Sequence, residues 1–291
     1  MSTDTSELQP RARQVRCITP SGLHRLAWTE WGDPANPRVL VCVHGLTRCG
    51  RDFDVLARAL AGEYRVVCPD VAGRGASGWL KNPMLYQVPT YAADMVTLIA
   101  ALGAETVHWV GTSMGGLIGM ALAALEDTPI TRLVLNDVGP VVPFAALARI
   151  GTYVGKDPVF PSFAAAEAYV RLTSAPFGPH SDEQWRFLTT NVVRRQPDGS
   201  WRMHYDPAIG VPFSAGLNGQ DVDLWAFYDQ IRCPTLVVRG AQSDLLTPEI
   251  AAAMQRRGPR ARLVELPGIG HAPTLLQPDQ VDLVRRFLLE G

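Results

Sequence analysis

Nowhere in the 291 residues do apolar side chains run unbroken for the 18 or more positions that a membrane span needs, which argues against a transmembrane helix. Charge of one sign is equally scarce. Lys and Arg number 27 against 28 Asp and Glu, a net charge of −1, and both signs are spread along the chain. That balance calls for neither nucleic acid nor an anionic membrane as partner. Cysteine is sparse: Cys17, Cys42, Cys49, Cys68 and Cys233 are an odd number without metal-ligand spacing, and Cys42 and Cys68 lie in apolar runs. They read as small core residues in a reducing compartment rather than as a disulfide framework. Met1 to Arg16 lacks the apolar stretch of a secretory signal and reads as a frayed leader, so the expected location is cytoplasmic. Internal repeats and low-complexity tracts are also missing.

What the chain does have is a recurring short apolar run. Val39 to Val43 is apolar at every position, as expected of a central strand covered on both faces. Similar runs recur at Tyr64 to Cys68, Thr106 to Val110, Arg132 to Leu135, Thr235 to Val238 and Arg262 to Leu266. Helical patterns lie between or after them at Arg51 to Ala61, Tyr91 to Leu102, Met114 to Ala124, Pro248 to Arg257 and Pro278 to Leu289. This alternation predicts a doubly wound α/β sheet, opened by a hairpin of Gln14 to Thr19 and Leu23 to Trp31 around Pro20-Ser21-Gly22. The alternation breaks once. From Gly139 to Gln230 there are helix-like patches, many of the aromatic residues and no convincing buried strand. The expected organisation is therefore a core of residues 1–138 and 231–291 with a mainly helical cap, 139–230, inserted between the sixth and seventh strands.

The strongest chemical signal is Gly111-Thr112-Ser113-Met114-Gly115-Gly116, which follows a strand and opens a helix. A G-x-S-x-G segment in that setting forms a turn that strains and exposes its serine. A helix N-terminus there also directs N–H groups and positive dipole to where negative charge develops. A glycine-rich turn with an ordinary capping serine is the bland alternative. A serine hydroxyl needs a base within reach. His271, in Gly268-Ile269-Gly270-His271-Ala272-Pro273, follows the last strand, where loops from different strands converge. His24, His108, His180 and His204 fall in strands or in the cap, and His44 reads as a residue that holds its own loop.

The acid should follow a strand between Ser113 and His271. Asp244, in the loop after Thr235 to Val238, is preferred on chain order, and Asp137 after the preceding strand is the alternative. Two backbone N–H groups should face the tetrahedral intermediate, and losing one such donor typically costs about 3 to 4 kcal/mol. Met114, directly after the serine, and Leu46, in Val43-His44-Gly45-Leu46-Thr47, are the expected donors.

Together these segments resemble the α/β-hydrolase superfamily from about Gln14 to Leu289. Asp70-Val71-Ala72-Gly73-Arg74-Gly75-Ala76-Ser77 looks like that family's architectural D-x-x-G-x-G-x-S turn. The resemblance implies an eight-stranded, mostly parallel sheet with one antiparallel strand, a lid-like cap, and neither cofactor nor metal. Ser113 departs from the aspartate of haloalkane dehalogenases and epoxide hydrolases, and His44-Gly45-Leu46-Thr47 departs from the loops of prolyl iminopeptidases and cofactor-free haloperoxidases. The expected activity is hydrolysis of small or medium, largely apolar carboxylic esters through an acyl-enzyme. C–C bond hydrolysis of a meta-cleavage-type diketone and a non-catalytic ligand receptor on the same scaffold are the alternatives. Ala272 weakens the first, because those hydrolases typically carry tryptophan there, and an intact triad weakens the second. Arg48 could meet a substrate carboxylate or could serve as a surface or helix-capping residue.

Overall fold

The structure is a computed structural model that describes residues 9–290. Eight strands form one sheet: β1 (Arg11–Thr19), β2 (Gly22–Trp31), β3 (Val39–Val43), β4 (Arg65–Asp70), β5 (Val107–Thr112), β6 (Ile130–Asn136), β7 (Thr235–Gly240) and β8 (Arg262–Leu266). Their spatial order is β1-β2-β4-β3-β5-β6-β7-β8. β2 is antiparallel to both of its neighbours, and all other pairings are parallel. Met1 to Leu8 of the expected leader lie outside the described residues, but its later part is not a leader, because Arg11 to Arg16 pair with β2 in register.

β3 shows why its sequence is apolar throughout. Val39, Val41 and Val43 join one core cluster while Leu40 and Cys42 join the other, so successive side chains serve opposite faces. Helices α2 (Val88–Leu102) and α3 (Met114–Ala123) cover the first face. α1 (Asp54–Leu60) and the C-terminal Pro278–Leu289 helix cover the second. The connections from β3 therefore pass to β4 by way of α1, and from β4 to β5 by way of α2. The strand order reverses between β3 and β5, and loops leaving the carboxyl ends of such neighbours bound a natural crevice.

β6 and β7 are adjacent, and the chain leaves the sheet between them. Along this excursion lie α4 (Phe144–Gly151), α5 (Phe163–Thr173), α6 (Asp182–Thr190), α7 (Gly210–Ala215) and α8 (Trp225–Tyr228), followed after β7 by α9 (Pro248–Met254) and finally α10, the Pro278–Leu289 helix. The excursion also contains strands that the sequence reading does not anticipate. Val159–Phe160, Trp201–Met203 and Val193–Arg195 form a three-stranded antiparallel sheet, and Val141–Val142 pairs with Val222–Asp223. Strands of two or three residues leave no alternation to detect. α7 is likewise unanticipated, because Gly210 and Pro212 disguise it.

Candidate active site

Ser113 joins β5 to α3 with φ 52° and ψ −115°, a region that residues with a side chain rarely occupy. Its amide donates to the Asn136 carbonyl at 3.0 Å, and its own carbonyl accepts from Gly116 and Leu117. The flanking glycines are packing requirements. A Cβ on Gly111 would sit 2.3 Å from the Gly115 carbonyl oxygen, and one on Gly115 would sit 2.0 Å from that of Val43. The serine hydroxyl is thereby held at the head of α3, where first-turn N–H groups have no intrahelical acceptor.

His271 reaches this hydroxyl from the loop after β8, with Nε2 2.9 Å from Ser113 Oγ. Its Nδ1 lies 2.7 Å from Asp137 Oδ2, and the imidazole is 10 % exposed. A carboxylate only accepts, so Nδ1–H donates to Asp137 and Nε2 is left to accept from the serine. Asp137 is fully buried. Besides His271, its oxygens accept from the Gly240 amide at 2.8 Å and the Ser243 hydroxyl at 2.6 Å. Three donors compensate a charge that burial alone would make costly.

The expected contact between Asp244 and His271 is therefore corrected: the alternative, Asp137, makes it. The turn after β7 folds so that the Ser243 amide donates to the Gly240 carbonyl, and Ser243 rather than Asp244 points inward. The Ser243 hydroxyl also accepts from the amides of Leu245 and Leu246. Asp244 turns outward, 46 % exposed, and forms a two-pronged ion pair with Arg149 of α4, at 2.6 Å from Nε and 2.9 Å from Nη2. Burial opposes the charge of Asp244, yet the Arg149 guanidinium outweighs it and holds the carboxyl below its ordinary range. Nothing in the sequence marks Ser243 or Arg149 for these contacts, since each is one polar residue among many.

The loop after β3 forms the facing wall. His44 is buried, its Nδ1–H donates to the Gly45 carbonyl at 2.7 Å, and its Nε2 accepts from the Val71 amide at 2.9 Å. Both nitrogens are occupied, and burial drives its pKa down to about 3, so it is a neutral brace for the loop. Leu46 belongs to the pocket wall, and Met114 is the buried first residue of α3. The D-x-x-G-x-G-x-S turn supports this loop: fully buried Arg74 donates to the Leu46 and Ala72 carbonyls and the Tyr91 hydroxyl. The sequence reading assigns that turn to architecture and does not single out Arg74.

Ser113 and His271 open into one pocket roofed by Ile150, Tyr153, Tyr169, Val170, Phe177, Leu188 and Tyr205. The wall is not wholly apolar, because Arg48, Asp52 and Arg149 belong to it. Arg48 is not a surface residue, and it does cap a helix end, that of α6. It is largely buried, forks onto Asp52 at 2.7 Å through Nε and Nη2, and donates to the Leu188 carbonyl of α6 at 2.9 Å. The five cysteines are free thiols, four of them buried. No helix among the described residues is long and apolar enough to cross a membrane.

Residues 38–278 match the alpha/beta hydrolase fold family. The chain is 53 % identical over 285 residues to a 3-hydroxybutyrate-oligomer hydrolase of Cupriavidus necator, covering 96 % of this chain and 97 % of the relative. It is 27 % identical to esterase YbfF of Escherichia coli, covering 87 % and 94 % of the two chains. Among solved structures, an alpha/beta hydrolase from Novosphingobium aromaticivorans superposes with a TM-score of 0.85 at 39 % identity, over 96 % of this chain and 98 % of that one. Sequence, sheet topology and relatives agree, and the chain belongs to the alpha/beta hydrolase fold family as an ester hydrolase.

Proposed function

We propose that the chain cleaves short oligoesters of hydroxy acids through an acyl-enzyme on Ser113, with His271 as base and Asp137 as the acid that orients it. The observation that carries this reading is the unbroken hydrogen-bond chain from Ser113 Oγ through His271 to Asp137, at 2.9 and 2.7 Å. The 53 % identical oligomer hydrolase supports the substrate class. In the first half-reaction Ser113 Oγ bonds to the ester carbonyl carbon while its proton passes to His271 Nε2. The carbonyl oxygen becomes an oxyanion facing the N–H groups of Leu46 and Met114. The C–O bond to the alcohol then breaks, and the His271 proton leaves on the departing alkoxide. Water attacks the acyl-enzyme with the same base, releasing the acid and restoring Ser113. Asp137 holds Nδ1–H and stabilises the imidazolium without taking its proton. In this reading residues 139–230 act as a cap domain over a core of residues 1–138 and 231–291, shielding the intermediate from bulk water.

Ser113→Ala tests the reading. The variant should lose p-nitrophenyl butyrate turnover and fluorophosphonate labelling while keeping the wild-type circular dichroism spectrum. Retained turnover would remove Ser113 from the chemistry.

A further inference from the structure

The pocket wall contains two guanidinium groups and one carboxylate, and the two cations are placed differently. Arg48 is 10 % exposed, and its guanidinium is spent on Asp52, the carboxylate of the wall, and on the Leu188 carbonyl. Arg149 is 35 % exposed, and its partner Asp244 is not part of the wall. Asp244 takes one edge of the guanidinium, through Nε and Nη2, and leaves the Nη1 end without a carboxylate. An arginine carries five N–H donors in a planar fork, so fixing one edge points the remaining end rather than exhausting it. The place where chain order suggests a catalytic acid is thus used to hold Arg149, beside the Tyr153 hydroxyl, at the wall of the pocket that holds the nucleophile. At a wall that also carries aromatic and aliphatic groups, a guanidinium that is 35 % exposed can meet an entering anion and form a charge-assisted hydrogen bond to it.

We propose that Arg149 is a subsite for the free carboxylate of a hydroxy-acid oligoester, with Asp244 as its positioning residue. The inference rests on the esterase reading above and extends it to the end of the substrate that is recognised. An oligomer of a hydroxy acid has a single free carboxylate, on the residue whose hydroxyl forms the terminal ester. A carboxylate docked on Arg149 therefore makes that residue the leaving alcohol, while the remainder of the oligomer is transferred to Ser113. Hydroxy acid is released one unit at a time from the carboxylate end.

The test compares the dimer 3-hydroxybutyryl-3-hydroxybutyrate with its methyl ester, which lacks the charge, and follows cleavage of the inner ester alone by separating the products. Wild type should prefer the acid in kcat/KM. Arg149→Gln should lower the acid-to-ester ratio about tenfold or more, as expected for a lost charge-assisted hydrogen bond, and Arg149→Lys should fall between. A trimer labelled at its hydroxyl end should release labelled dimer before labelled monomer. A ratio unchanged in Arg149→Gln, or labelled monomer appearing first, would overturn the subsite. A merely structural tie between cap and core would depress both substrates alike and also leave the ratio unmoved. The two readings fail differently. Ser113-dependent turnover of both dimers without preference for the acid sinks the subsite and leaves the esterase standing. Absence of any Ser113-dependent turnover sinks the esterase. Calorimetric titration of the Ser113→Ala protein with the dimer acid and its methyl ester then still decides the subsite: tighter binding of the acid that disappears in Ser113→Ala/Arg149→Gln supports it, and equal binding overturns it.

Discussion

The turns after β6 and β7 lie side by side at the same edge of the sheet, with Val238 opposite Asn136, and each presents an aspartate within a few residues of its strand. Their carboxylates meet opposite surroundings. Asp137 is fully buried, adopts φ 56°, and is enclosed by the Gly240 amide, the Ser243 hydroxyl and the His271 imidazole. Asp244 is 46 % exposed and faces Arg149 of α4. Chain order treats the two turns as equivalent sources of an acid. What separates them is which side chain each turn directs inward, and in the second turn it is the serine before the aspartate.

The contrast breaks most decisively in activity. Asp137→Asn offers His271 Nδ1 an amide in place of a carboxylate and should cost roughly three to four orders of magnitude in kcat/KM for p-nitrophenyl butyrate. Asp244→Asn removes a half-exposed ion-pair partner and should cost no more than about tenfold on the same neutral ester. Steady-state kinetics on both variants decide the matter. The opposite ranking would mean that the catalytic complex recruits Asp244 and that the hydrogen bond to Asp137 is a resting arrangement.

The second turn still contributes to the first through Ser243. Ser243→Ala removes a donor to the buried Asp137 carboxylate and leaves the Leu245 and Leu246 amides without their acceptor. A hydrogen bond to a charged group is worth about 1.5 to 3 kcal/mol, so unfolding stability should fall by about 2 kcal/mol. Urea denaturation measures this directly. If Ser243→Ala is as stable as wild type, then water replaces the hydroxyl and the enclosure of Asp137 is looser than its distances imply.

These neighbouring turns also show what was legible in the sequence. The fold was readable because β3 is buried and apolar at every position, and β5 and β7 carry buried apolar runs at Trp109–Val110 and Leu236–Val238. The strand-to-helix turn around Ser113 was readable because glycine at 111 and 115 is dictated by backbone atoms closer than 2.5 Å to where a Cβ would lie. Which carboxylate His271 contacts was not readable. Asp137 and Asp244 each follow a strand, and choosing between them requires knowing that Ser243 folds back over the Gly240 carbonyl. The charged part of the pocket was hidden for a similar reason: Arg149 enters it from α4, 95 positions away in sequence from the aspartate that aims it. Periodicity records which face of an element is buried and carries no information about which distant side chain meets it.

The smallest expected effect tests whether the outward aspartate fastens α4 to the turn after β7 or only positions Arg149. Arg149 outweighs the burial of Asp244 and depresses its carboxyl pKa in the folded protein, so the unfolded chain takes up this proton at a higher pH than the folded one. The pair's contribution is therefore present above the ordinary carboxylate value of 3.8 and is lost as the pH falls through the lower folded value. Because both side chains are more than a third exposed, solvent screens the pair, and at neutral pH it should add no more than about 0.5 kcal/mol. Chemical denaturation of wild type and Asp244→Asn should thus differ by about that amount at pH 7 in low salt. The difference should vanish in about 1 M salt, where the screening length is near 3 Å, and should shrink as the pH is taken below 3.8. A difference several times larger that survives high salt would make the Asp244–Arg149 pair a clamp between α4 and the turn after β7. The two turns would then differ less in purpose than in target, each fixing a distant side chain in place.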